Sequence, residues 1–162
     1  FPERRPWEGG TKRWYDRVFV LEAGASAWRE EGRLPVASGY GASVQLDEGL
    51  LLIGGGDATA NHSAVRLLRR VGQLRFEAWP ALPLPLAMCT AARVGRIVYV
   101  AGGMDRPDAT AAQRVFLALN LDDRAVGWRR LDPWPGPERI LATAGEVGGV
   151  FCLVSEIGRA HV

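Results

Sequence analysis

The stretch "LLLIGGGDATANH", residues 50–62, decides the fold. Three glycines after an apolar run suit either a phosphate cradle or a turn in an all-β protein. A nucleotide loop needs its glycines to end a strand and open a helix, and a P-loop adds Lys-Ser or Lys-Thr. Here Asp57-Ala58-Thr59-Ala60-Asn61-His62 follows, with no Lys and no amphipathic helical period. The phosphate reading therefore fails on its own residues. What remains is to ask whether the stretch recurs.

It does. "LLLIGGGD" at 50–57 returns as "VYVAGGMD" at 98–105, so that Gly54 and Gly55 map onto Gly102 and Gly103 at an offset of 48. Trp28, Trp79 and Trp128 recur at spacings of 51 and 49, each followed within seven residues by Leu and Pro. Each Gly-Gly unit follows another apolar segment, "YGASVQL" (40–46) or "CTAARV" (89–94), and "ILATAGEV" (140–147) opens the same series again. A period near 50 with Gly-Gly after an apolar strand and a later Trp is the kelch pattern of a β-propeller blade.

The local chemistry agrees. The runs are short and rich in Val, Leu, Ile and Tyr, with Gly, Pro or Asp breaking them every eight to twelve residues; that pattern favours strands over helices. One blade is expected at 40–46, 50–54, 64–70 and 74–79, and the next at 89–94, 96–102, 114–121 and 127–131. An outer pair, 17–22 and the strand around Trp28, precedes them, and an inner pair, 140–147 and 149–154, follows. The fold class is all-β: a kelch propeller fragment of about three blade equivalents, with a partial propeller over residues 1–155 and open sheet edges that predict poor solubility. The recurring Trp residues are expected to fill the space between neighbouring sheets.

Composition excludes some functions. The chain of 162 residues is 48% hydrophobic and 23% charged, with a net charge of +2. So small a charge argues for no nucleic-acid partner and no anionic membrane, and Arg66, Arg69, Arg70 and Arg75 read as a solvated strand face. No apolar run reaches the roughly 18 residues of a membrane span. Cys89 and Cys152 form neither a disulfide framework nor a metal site by spacing, and both are expected as buried free thiols. "EIGRAHV" at 156–162 does not continue the strand before it and reads like a translated sequencing adapter. Residues 157–162 are therefore expected to be non-native, and His161 is set aside.

With these residues quoted, a resemblance emerges. "YGASVQLDEGLLLIGGGD", "HSAVRLL", "LPLPLAMC", "RIVYVAGGMDRPDAT" and "PWPGPERIL" resemble the bacterial cyclically permuted mutarotase family, whose relatives include sialic acid mutarotases, or N-acetylneuraminate epimerases. "PWEGG", "YGAS" and "PWPGPERIL" lie outside the kelch repeat and carry more of the likeness. The resemblance runs from Phe1 to about Ser155 and implies a six-bladed propeller, a sugar substrate and a periplasmic location. It also places an Asn after "PLA", where this chain has Met88.

In an up-and-down blade the second and fourth strands end at one rim. The loops after them gather there: Asp57, Asn61 and His62; Asp105, Arg106 and Asp108; Trp134, Glu138 and Arg139; and, from the opening segment, Glu8 and Lys12. Mutarotation opens and recloses a ring hemiketal, so one group takes the anomeric hydroxyl proton while another protonates the ring oxygen. No cofactor and no metal are required. Asp57 and His62 are the acid/base candidates, although an Asp after Gly-Gly also caps turns. Arg139 is the expected carboxylate clamp, since a guanidinium pairs with a carboxylate through two parallel bonds. Asp105 is the second substrate-binding candidate, or a structural residue. The competing reading is a non-catalytic kelch scaffold binding a protein or glycan at the same rim. A copper radical oxidase would need at least two His ligands beside a Tyr, and only His62 is available.

Overall fold

The computed structural model describes Gly10 and Lys12–Val154; Glu8, His161 and the 157–162 tail lie outside the described residues. The elements are β1 (Arg17–Val20), β2 (Arg29–Arg33), β3 (Ala42–Leu46), β4 (Gly49–Ile53), β5 (Val65–Val71), β6 (Gln73–Trp79), β7 (Thr90–Val94), β8 (Ile97–Ala101), β9 (Phe116–Asn120), β10 (Arg129–Leu131), β11 (Thr143–Val147) and β12 (Val150–Val154). One turn of 3-10 helix, Arg124–Val126, interrupts the series.

They form four antiparallel sheets: β1-β2, β3-β4-β5-β6, β7-β8-β9-β10 and β11-β12. In both four-stranded sheets the strands follow chain order, as in a meander. The strands ending at Ile53 and Ala101 lie in different sheets. The first strands stand side by side, β3 against β7 and β7 against β11, while β2 lies against β6. The sheets therefore fan about one side, as partial propeller blades do.

Alternation along the strands builds the core between the two whole sheets. Leu51, Ile53, Leu67, Val98, Val100 and Leu117 are buried almost completely. Their period-two spacing turns one face of each sheet toward its neighbour. Beyond β8, Tyr99 stacks on Phe116 at 5.4 Å, and both meet Phe151 of β12 at 5.5 and 5.3 Å. That aromatic cluster joins the second whole sheet to β11-β12.

The glycine doublets do the same work twice. Gly54 N–H donates to Ala64 O and Gly55 N–H to Leu86 O, at 3.0 and 2.8 Å; Gly102 and Gly103 donate to Val115 O and Arg139 O, at 2.9 and 2.8 Å. Gly54 and Gly102 have φ of 61° and 66°, and a Cβ on either would overlap the Leu86 or Arg139 carbonyl oxygen. The doublet lets the end of the second strand touch the chain leading into the next sheet.

Several expected boundaries shift for backbone reasons. β3 begins at Ala42 rather than 40, and β11 at Thr143 rather than 140, because Tyr40 and Leu141 take φ of 60° and 55°. β10 begins after Trp128, since Gly127 with φ of 78° ends the 3-10 turn. β1 stops at Val20, short of residue 22.

The tryptophans also depart from a single role. Trp79 closes β6, is 7% exposed and lies 4.3 Å beneath the Arg124 guanidinium of the next sheet. Trp128 precedes β10 and donates Nε1–H to Pro80 O at 2.8 Å. Trp28 precedes β2 and is 66% exposed, so it fills no space between described sheets. Spacing along the chain repeated; strand register did not. Cys89 is buried as expected, whereas Cys152 is only half-buried; both are free thiols.

Candidate functional site at the loop rim

The rim is built from the backbone outward. Gly39 and Gly56 exchange N–H···O bonds at 2.9 Å each, and Ala87 and Met104 repeat the exchange one blade later at 2.9 and 2.8 Å. Tyr40, Met88 and Leu141 hold equivalent places before successive first strands, all with positive φ. Met88 N–H donates to Tyr40 O at 2.7 Å, and Leu141 N–H donates to Met88 O at 2.9 Å. A relay of backbone bonds thus runs from blade to blade. Positive φ costs a non-glycine residue about 1 kcal/mol or more, and these bonds hold the residues there.

His62 and Asp57 come together in the loop after β4. His62 N–H donates to Gly55 O at 2.7 Å, fixing where its side chain leaves the loop. Its Nε2 lies 3.2 Å from Asp57 Oδ2, with the side chains 21% and 28% exposed. The other Asp57 oxygen, Oδ1, accepts from Thr59 N–H and Thr59 Oγ1–H at 2.7 Å each and from Ala60 N–H at 3.0 Å. The Thr59 backbone N–H, then its hydroxyl, then the Ala60 N–H hold the Asp57 carboxyl well below the usual carboxylate range. Asp57 therefore stays a carboxylate near neutral pH and is a poor proton donor. Its chemistry is to hold the imidazole: a carboxylate on Nε2 keeps a proton there and leaves Nδ1 as acceptor.

The pair stands between two clefts. Asp57 lines a rim cleft of about 130 Å³ together with Lys12, Trp14, Tyr40, Met88 and Arg106. His62 lines a larger one of about 320 Å³, along the exposed face of β3 and β4, with Ser38, Ser43, Leu52 and Arg66. Lys12 Nζ sits 5.7 Å from the Tyr40 ring centroid. Asn61 Nδ2–H donates to Met104 O at 2.8 Å and ties this loop to the following one.

The other candidates lie apart from the pair. Asp105 is 3.9 Å from Arg106, whose Nε also reaches Asp108 at 3.4 Å. Arg139 gives its carbonyl to Gly103 N–H, and its guanidinium lies 6.0 Å from the Trp134 ring centroid. Neither Asp105 nor Arg139 lines the cleft that holds Asp57. Among the described residues, the cations that do are Lys12 and Arg106. Tyr40 and Trp14 were missed as cleft residues; the 48-residue offset from Tyr40 to Met88 was the available signal for the first. Among the described residues, no three His, Cys, Asp or Glu side chains gather as a metal site.

No protein-family model matches the chain. Among curated proteins it is 35% identical over 72 residues to the N-acetylneuraminate epimerases of Yersinia pestis (strain Pestoides F) and Yersinia pseudotuberculosis serotype O:1b (strain IP 31758). The matched stretch is 43% of this chain and 18% of each relative. Among solved structures it resembles that of YjhT, with a TM-score of 0.73 at 12% identity over 87% of this chain and 45% of that one. The chain thus spans less than half of the structure it matches, and the likeness at that identity concerns fold. Distant sequence identity and shared fold together support kinship with the mutarotase-type kelch propellers at the level of a superfamily.

Proposed function

We propose that the protein is a mutarotase or epimerase that interconverts the anomers of sialic acid or a related sugar, as a six-bladed propeller acting in the periplasm. The observation carrying this reading is the sequence match to N-acetylneuraminate epimerases. The rim supplies groups of the right kind. In this reading His62, held through Nε2 by Asp57, takes the anomeric hydroxyl proton at Nδ1. Ring opening follows as a second group protonates the ring oxygen. A sugar spanning the pair would meet His62 from the larger cleft and, in the Asp57 cleft, positive charge from Arg106 and Lys12 for its carboxylate and flat apolar surface from Trp14 and Tyr40. Arg139 and Asp105 remain the substrate-binding candidates on the following loops. Met88 puts an apolar side chain where the family resemblance places Asn, which favours a less polar group on the sugar at that point.

One observation favours the scaffold reading instead: three donors saturate Asp57 Oδ1 within its own turn, as a purely structural cap would require. Proton NMR of freshly dissolved α-sialic acid with the full-length protein separates the two. The enzyme reading expects accelerated equilibration to the β-anomer, lowered at least tenfold in His62→Ala, as loss of one general base implies. No acceleration above the uncatalysed rate refutes it and leaves the scaffold.

A further inference from the structure

The cleft that holds Asp57 collects residue types that are rare in this chain. Both methionines, Met88 and Met104, line it, and so does the only lysine, Lys12. The two methionines stand at the open end of the β7-β8 hairpin, Met88 before β7 and Met104 after β8, where the Ala87↔Met104 bridge extends the pairing of those strands. The cleft walls come from loops of the two whole sheets and from the segment holding Lys12 and Trp14, so no unpaired strand edge contributes to them.

Both residues are pinned through their main chain. Met88 N–H donates to Tyr40 O at 2.7 Å, and Met88 O accepts from Leu141 N–H at 2.9 Å. Met104 N–H donates to Ala87 O at 2.8 Å, while Met104 O accepts from Ala87 N–H at 2.9 Å and from Asn61 Nδ2–H at 2.8 Å. Neither residue can withdraw without giving up these bonds. Each is only half-buried, so a small solute in the cleft reaches it. Cys89 and Cys152 do not line the cleft, and no thiol competes there for an oxidant. A thioether is apolar and accepts hydrogen bonds weakly, whereas its sulfoxide is polar and accepts them well.

We propose that Met88 and Met104 form a peroxide-modified site that governs whether this cleft accepts an anionic ligand. Each sulfur attacks the O–O bond of hydrogen peroxide and gives up two electrons. An S–O bond forms as the O–O bond breaks, and the proton of the transferred oxygen passes to the leaving hydroxide, which departs as water. Because both backbones are held, the new oxygens stay in the cleft. Lys12 and Arg106, which line it too, donate to them. Cations paired in this way no longer meet an anion, and the wall beside them is no longer apolar. Reduction of the sulfoxides restores both properties. This inference concerns access to the cleft and is independent of the sugar reading.

The test reads the cleft without any sugar. Iodoacetamide first blocks accessible thiols of the folded 162-residue chain; hydrogen peroxide follows, and mass spectrometry of tryptic peptides locates the oxygen. Met88 and Met104 should each gain one oxygen at a rate within about tenfold of that in urea. Acetylation of Lys12 by N-hydroxysuccinimide acetate should then slow about tenfold, as a charge-assisted bond to its amine implies. Methionine sulfoxide reductases for the two sulfoxide epimers should return the original rate, with strand content by circular dichroism constant throughout. Combining Met88→Leu with Met104→Leu removes both sulfurs at similar volume, and Lys12 of that variant should acetylate at one rate before and after peroxide. Oxidation that waits for unfolding, Lys12 acetylation indifferent to oxidation, or slowing that the reductases do not reverse overturns the inference. So does a double-leucine variant that peroxide still slows.

Discussion

Gly54→Ala is the sharpest probe of how the sheets are joined. Gly54 has φ of 61°, and a Cβ there would overlap the Leu86 carbonyl oxygen, a backbone atom in the segment leading to β7. That oxygen also accepts Gly55 N–H at 2.8 Å. Relief requires the linker to move, which breaks this bond. A left-handed φ costs an alanine about 1–2 kcal/mol. Overpacking against a fixed neighbour adds about 1–3 kcal/mol, and the lost bond about 1 kcal/mol. The sum is about 3–6 kcal/mol, a large share of the roughly 5–15 kcal/mol of a whole domain. Gly72→Ala is the control: its φ of 75° carries the same conformational cost, but nothing lies within 4 Å of its Cβ. Urea unfolding followed by tryptophan fluorescence should lower the midpoint of Gly54→Ala far more than that of Gly72→Ala, at constant slope. If the two variants fall within about 1 kcal/mol of each other, close approach at the doublet does not hold the sheets together, and the argument fails.

Other outcomes follow from particular contacts. Leu67→Ala, at a side chain with no exposed surface, should cost about 2–5 kcal/mol by urea unfolding. Burial pushes the Cys89 thiol up to about 11, so its alkylation by iodoacetamide at pH 8 should track global unfolding, as mass spectrometry of its peptide would show. The Asp57 carboxyl is depressed in the fold, so its contribution is present above the unfolded value near 4 and is lost as pH falls through the lower folded value. Asp57→Asn should therefore flatten the acid limb of stability against pH below about 4, whereas an unchanged limb would show that the Thr59 and Ala60 bonds are not made. Arg70 pairs with Glu22 and Glu31, bridging β5 to the first sheet; Arg70→Met should speed amide exchange in β2 at low salt, and high salt should shrink the difference.

Much of the architecture was legible because it rests on local chemistry repeated along the chain. Alternating Val, Leu and Ile with Gly or Pro breaks gave strands, and the echo of Gly54-Gly55 in Gly102-Gly103 gave equivalent positions in two sheets. Boundaries were less legible at Tyr40 and Leu141. Their positive φ goes with backbone bonds between blades, Tyr40 O accepting from Met88 N–H of the following blade and Leu141 N–H donating to Met88 O of the preceding one, and nothing in a Tyr or Leu announces it. The tryptophan period misled for a related reason. Trp79 and Trp128 share a spacing but not a register, since the 3-10 turn after β9 changes which residue faces the neighbouring sheet.

At the rim the division is the same. The identity of Asp57 and His62 as neighbours five residues apart was readable, as was the tendency of Asp after Gly-Gly to cap a turn. Only folding decided that both hold at once, one oxygen taken by Thr59 and Ala60 and the other turned to the imidazole. Folding also brought Lys12 and Arg106 into the Asp57 cleft and set Arg139 over Trp134, which residue order alone does not determine. Periodicity is a property of neighbours along a chain, and sequence carries it in full. Which loops share a cleft depends on how separate sheets pack, and that is settled by long-range contacts that no single stretch contains.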